Sequence, residues 1–207
     1  MIVKVCGMRD ADNIREVESL DEFAILIGFI FYPQSPRYVD KVPDYLPERC
    51  NRVGVFVDAD IMDIKRHIAE YVLDFVQLHG NESPEFCERL LNDDEVPSYL
   101  GIIKTIQVST VDDLKQAEAY EGVVAYFLFE TKCDSHGGSG KQFDWSVLQH
   151  YNGNTHFLIT GGIGPEDAEK VRAFKHPKFV GIDLNSRFET SPAMKSVEKL
   201  RKFLSEL

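Results

Sequence analysis

Cys6 is the residue in this sequence around which chemistry can be built. It ends the apolar run Ile2-Val3-Lys4-Val5-Cys6, and Gly7 directly after it frees the backbone to turn. An ordinary thiol titrates at about 8.5, so surroundings that favour the thiolate make it a useful base near neutral pH. Lys4 stands two residues earlier and therefore shares a strand face with Cys6. Gln77 and His79 have the same spacing in Val76-Gln77-Leu78-His79-Gly80. Glu130 follows Phe127-Leu128-Phe129, Lys104 lies inside another apolar run, and Asp183 falls near the end of a last one. Polar groups buried near strand ends cost free energy of desolvation. If these side chains point inward, they line one polar pocket at a common mouth.

Three glycine-rich turns add a place for an anion. They are Gly137-Gly138-Ser139-Gly140-Lys141, Thr160-Gly161-Gly162-Ile163-Gly164-Pro165, and the polar turn Asp183-Leu184-Asn185-Ser186-Arg187 that follows the last apolar run. Exposed backbone N–H groups at such turns, and at helix amino ends, form a cradle for phosphate. The bland alternative is that the glycines only permit tight turns.

These residues need elements to hold them. Strand-like runs fall at 2–6, 25–32, 52–57, 75–78, 102–106, 126–129, 157–160 and 179–184. Helical patterns lie between them at 11–19, 61–70, 84–91, 111–120, 165–174 and 194–207, with weaker pieces at 43–49 and 145–150. Several strands are apolar on both faces, as strands buried between helices and an inner core must be. Eight strands in strict alternation with helices predict a single closed (β/α)8 TIM barrel over 1–207, with an open doubly wound sheet as the lesser alternative. A length of 207 residues fits one such domain, whose range begins near 200. In a barrel the carboxyl ends of the strands carry the chemistry, which is where Cys6, His79, Glu130 and Asp183 fall.

Composition narrows the partners. A formal net charge of −11 argues against nucleic acid and anionic membrane, both of which are held by clustered Lys and Arg. It leaves room for an anionic small molecule held by a local group of donors. The four cysteines show no zinc-like spacing with His and, with no leader-like segment before the first strand, read as reduced thiols of a cytoplasmic protein. No apolar run approaches the length of a membrane span. A monomer is the default expectation.

Taken together the motifs resemble the phosphoribosylanthranilate isomerases. The matching pieces are Lys4-Val5-Cys6-Gly7, Gly28-Phe29-Ile30-Phe31-Tyr32-Pro33 with Ser35-Pro36-Arg37-Tyr38-Val39, and Val53-Gly54-Val55-Phe56-Val57. They continue with Val76-Gln77-Leu78-His79-Gly80, the Gly137–Lys141 turn with Phe143-Asp144-Trp145, and Gly161-Gly162-Ile163. The resemblance implies an enzyme of tryptophan biosynthesis that performs an Amadori rearrangement of N-(5-phosphoribosyl)anthranilate without metal or organic cofactor. It implies Cys6 as general base, Arg37 as the ligand of the anthranilate carboxylate, and Asp183 as an acid contacting the sugar hydroxyls, with Gln77 and His79 in support. A guanidinium suits a planar carboxylate because it donates bidentately. Phosphate falls to Gly138, Gly140, Gly161, Gly162, Ser186 and Arg187. Indole-glycerol-phosphate synthases, which rely on Lys and Glu, and histidine-pathway isomerases, with Asp at the end of the first strand, fit the leading Cys6 less well.

The chain departs from the family at the sixth strand. The family's general acid there is an aspartate, and this chain reads Phe129-Glu130-Thr131-Lys132. Glu130 keeps the carboxyl and adds a methylene. Two alternatives stay open: Glu130 serves as the acid in a site adjusted to it, or the barrel binds its phosphosugar with impaired catalysis. On the sequence alone, Glu130→Asp is expected to preserve or raise the rate. A second departure is Asn185-Ser186-Arg187, where many members have Ser-Ser-Gly; Arg187 there either meets the phosphate or points to solvent.

Overall fold

The computed structural model describes residues 1–20, 23–131 and 144–207. Eight parallel strands close on themselves in sequence order: β1 (Ile2–Cys6), β2 (Ala24–Ile30), β3 (Asn51–Phe56), β4 (Phe75–Leu78), β5 (Gly101–Val108), β6 (Tyr126–Thr131), β7 (His156–Ile159) and β8 (Phe179–Leu184). Closure comes from β1, which pairs with β2 on one side and β8 on the other. The TIM barrel expected from the alternation is the fold observed.

The outer layer contains α1 (Ala11–Glu18), α2 (Ile61–Tyr71), α3 (Pro84–Leu91), α4 (Ala168–Ala173) and α5 (Val197–Ser205). Their starts are written in the sequence. Asp10, Asp60, Ser83 and Ser196 each cap a helix by accepting a backbone N–H from the first turn, and Pro84 sits where its missing N–H costs nothing. Residues 111–120, expected as α-helix, form a 3-10 helix instead. Leu114 and Ala117, its buried residues, are three apart, the period of that tighter helix. The short pieces at Trp145–His150 and Pro165–Asp167 are also 3-10.

Two expectations fail. No helix forms at 43–49, because Pro47 would fall in its second turn, where it lacks the N–H and its ring clashes with the preceding turn. Buried Glu18 pins this stretch instead, accepting from the Tyr45 hydroxyl and from the backbone N–H of Arg49. The terminal helix begins later than expected, after a hairpin of β9 (Glu189–Ser191) and β10 (Met194–Lys195).

Strand parity sorts the interior. Leu26, Val53, Ile103, Leu128 and Leu158 form an apolar floor inside the barrel, joined by Ile2, Phe75, Tyr126 and Val180. Two residues further along most of these strands, on the same face, stand Lys4, Gly28, Gln77, Thr105, Glu130 and Thr160. A register shift between β7 and β8 brings Asp183 opposite Lys4. A polar layer thus lies on the apolar floor and faces the mouth.

Lys104 is not part of it. Its neighbours Ile103 and Thr105 face in, so Lys104 faces out. Its Nζ donates to Leu78 O (3.3 Å), Gly80 O (2.8 Å) and the buried carboxylate of Glu82 (3.1 Å). The ammonium pins the turn after β4 from behind rather than lining the pocket.

Candidate active site

Cys6 ends β1 with its side chain 3% exposed. Lys4, fully buried one turn of the pleat below, donates to Asp183 Oδ1 at 3.0 Å. Burial pushes the Cys6 thiol up from its ordinary value; Lys4 opposes this by its charge and by a hydrogen bond to the sulfur. Burial also works against the charge of Lys4, yet Asp183 and Cys6 together hold its ammonium above the ordinary lysine value. The result is a neutral thiol next to a fixed cation that stabilises the thiolate once a proton leaves. Gly28 on β2 makes the room: a Cβ there would lie 3.0 Å from Cys6 Sγ and 3.3 Å from Lys4 Nζ.

Opposite, at the ends of β4 to β6, a second group assembles. His79 Nε2 and Glu130 Oε2 are 2.8 Å apart. Gln77 Nε2 lies 3.3 Å from His79 Nδ1 and donates to Thr105 Oγ1 at 3.2 Å. Gln77 Oε1 is buried with no partner among the described residues. Thr160, from the end of β7, donates to Asp183 O at 3.3 Å. Asp183 feels the charge of Glu130 as well as that of Lys4, so the two groups share one cavity.

Arg37 lies on the third side. Its Nε and Nη2 bind Glu189 bidentately at 2.8 and 2.7 Å. Lys195, whose side chain is wholly buried, donates to Glu189 Oε1 at 2.5 Å and to Asn185 Oδ1 at 2.9 Å. Burial raises the Glu189 carboxyl, but the bonds from Arg37 and Lys195 outweigh it and hold it below the carboxylate range. Burial pulls the Lys195 ammonium down against the attraction of Glu189 and of Cys6. Gly7 fits beneath this cluster at φ +77°, where a Cβ would meet Arg37 Cδ at 2.6 Å and Asn185 Oδ1 at 3.1 Å. Glycine is required there for both its backbone and its size.

Gly161 and Gly162 turn the chain after β7 at φ +95° and +72°. Ser186 opens a 3-10 turn after β8, and Arg187 pairs with Glu166, which joins the β7 and β8 turns at their rim. Gly138 and Gly140 lie outside the described residues. Among the described residues no group of three or more His, Cys, Asp and Glu side chains is placed to hold a metal ion, and no helix is long and apolar enough to cross a membrane.

The sequence model of the family "N-(5'phosphoribosyl)anthranilate (PRA) isomerase" matches residues 3–206. The chain belongs to this family. The N-(5'-phosphoribosyl)anthranilate isomerases of Parabacteroides distasonis and Phocaeicola vulgatus are 48% and 47% identical to it, over all of this chain and 93% and 98% of theirs. Among solved structures, the phosphoribosyl anthranilate isomerase of Thermotoga maritima superposes with a TM-score of 0.81 at 29% identity, covering 100% of this chain and 98% of that one. A structure of the same enzyme type in complex with reduced 1-(o-carboxyphenylamino)-1-deoxyribulose 5-phosphate gives 0.80 at 27%, with the same coverage.

In this family member the barrel brings Cys6, Gln77, His79, Glu130 and Asp183 to one mouth. Arg37 joins them with its Nε and Nη2 already engaged. Thr105, Glu189 and Lys195 are the residues that sequence reasoning missed. Thr105 is found by counting two residues on from Ile103. Glu189 and Lys195 carried a weaker signal: the turn residues Ser191-Pro192 between them mark a hairpin rather than the start of a helix.

Proposed function

We infer that this chain isomerises N-(5-phosphoribosyl)anthranilate to 1-(2-carboxyphenylamino)-1-deoxyribulose 5-phosphate, an Amadori rearrangement in tryptophan biosynthesis. The observation that carries this is a shared mouth: the Cys6 thiol beside the Lys4–Asp183 pair, and the Glu130–His79 pair across from it, in a chain of this family. Protonated Glu130 delivers its proton to the furanose ring oxygen, and the bond from C1′ to that oxygen breaks as the anilino nitrogen's lone pair forms the iminium. Cys6 thiolate then removes the C2′ proton to give the enol-amine, which becomes the C2′ ketone as C1′ takes a proton back from the Cys6 thiol and the C2′ hydroxyl gives its proton up to Glu130. Protons and electron pairs balance without an outside oxidant or reductant.

The charges support these roles. Lys4 stabilises the thiolate that Cys6 must become, and Asp183 holds Lys4 in place and offers a carboxylate to the sugar hydroxyls. Arg37 meets the anthranilate carboxylate with the donors that Glu189 leaves. The phosphate takes backbone N–H groups at Gly161, Gly162 and Ser186, with Arg187 beside them; Gly138 and Gly140, outside the described residues, remain assigned to phosphate by the sequence alone. In this reading the chain works as a cytoplasmic monomer.

Turnover is followed by loss of the substrate's anthranilate fluorescence. Wild-type protein is expected to convert it and Cys6→Ala to be inactive. Full activity in Cys6→Ala removes the assigned base, and an inactive wild type removes the function.

A further inference from the structure

We propose that Gln77 is a positioning residue that sets the tautomer of His79, and through it the oxygen on which Glu130 carries its transferable proton. The proposal rests on the isomerase reading above for the use made of that proton, but not for the tautomer itself.

The observation is a chain of contacts running inward from the mouth: Glu130 Oε2 to His79 Nε2 at 2.8 Å, His79 Nδ1 to Gln77 Nε2 at 3.3 Å, and Gln77 Nε2 to Thr105 Oγ1 at 3.2 Å. Gln77 is 2% exposed and Thr105 6%, so water does not compete for these groups. A neutral imidazole has one N–H and one bare nitrogen, and the partner of one nitrogen decides the state of the other. An amide N–H facing Nδ1 requires Nδ1 to be the acceptor. The ring proton then resides on Nε2, where it donates to Glu130 Oε2.

That assignment matters to a carboxylic acid. With Oε2 accepting from His79, the acidic proton of Glu130 belongs on Oε1, the oxygen left to the ligand. The opposite tautomer would present a bare Nε2 to Glu130, which would hold the proton against the protein wall and away from the substrate. After transfer the Nε2–H also stabilises the carboxylate that remains. Asp183 from β8, itself held by Lys4 from β1, also faces Glu130. Among the described residues the hydrogen-bond partner of His79 Nδ1 is the Gln77 amide.

The test is the nitrogen-15 spectrum of the imidazole, with the His79 resonances assigned by their loss in His79→Gln. Wild type is expected to show Nε2 protonated and Nδ1 bare, a measurement that needs no turnover and stands even if the substrate assignment fails. Gln77→Met keeps the volume and removes the donor; it is expected to give a tautomer mixture and to lower kcat roughly ten- to a hundredfold, within what a general acid supplies, with KM changed less than about threefold. Thr105→Val, which frees the Gln77 amide to rotate, should shift both readouts in the same direction by less. A purely structural role would lower stability and leave the tautomer unchanged. A wild-type ring protonated on Nδ1, or a Gln77→Met protein with unaltered tautomer and kcat, overturns the proposal.

Discussion

Lys4 and Asp183, 179 residues apart in the chain, meet at 3.0 Å inside the barrel with both side chains almost fully out of water. The contact closes β1 on β8 and places a fixed positive charge under Cys6. Removing one partner of a buried pair leaves the other uncompensated, at a cost of about 3–5 kcal/mol. Lys4→Met is therefore expected to be strongly destabilised in denaturant unfolding, and the added Asp183→Leu to recover much of the loss. A drop below about 1 kcal/mol in Lys4→Met would show that the pair is not dry.

The same lysine governs a pH dependence. Burial lifts the Cys6 thiol, so the thiolate fraction grows only as pH rises above the ordinary thiol range. The thiolate absorbance of Cys6, read in the ultraviolet against Cys6→Ala, is expected to grow into the alkaline region. Lys4→Gln, which takes away the charge opposing that lift, should move the growth to still higher pH. A Cys6 thiolate already complete at neutral pH, or one unmoved in Lys4→Gln, contradicts this account.

Glu130→Asp looked harmless from the sequence. The 2.8 Å contact to His79 turns that expectation round, because a carboxyl shortened by one methylene cannot reach both His79 and the ligand. A misplacement of about 1 Å costs on the order of a hundredfold in rate. Glu130→Asp should lose activity mainly in kcat, and an equal or faster aspartate enzyme would mean the His79 contact is dispensable.

Glu189 titrates below its ordinary value because Arg37 and Lys195 bind its ionised form. A depressed carboxylate contributes stability above its unfolded value of about 4.5, and that contribution disappears as pH falls through the lower folded value. Glu189→Gln should therefore be less stable than wild type near neutrality, with the gap closing below about pH 4. A gap independent of pH would place the effect in packing instead. Arg37→Ala should chiefly raise the apparent KM for the carboxylated substrate.

The fold was legible because two periods could be counted: two along each strand and a helical repeat between them. The site was legible where a polar residue interrupted an apolar strand, as at Lys4, Gln77, Glu130 and Asp183. Counting failed at Lys104, since a lysine in an apolar strand announces burial but not its direction; only the neighbouring Ile103 gives the parity. It failed again beyond β8, where Glu189 and Lys195 act across a two-strand hairpin too short to show periodicity. The amide of Gln77 was visible, but its bond to His79 is a matter of geometry that no spacing reveals.

The hairpin that carries Glu189 and Lys195 also sets an order of assembly. Arg37 leaves the ribosome well before its counter-ion Glu189, which lies 152 residues further along the chain. A nascent chain that has emerged as far as β7 already owns its thiol and its acid, yet lacks Asp183, Asn185, Glu189 and Lys195 together. Such an intermediate holds two orphaned cations, Lys4 and Arg37, around an open seam. Completion of the pocket thus waits on β8 and the hairpin that follows it.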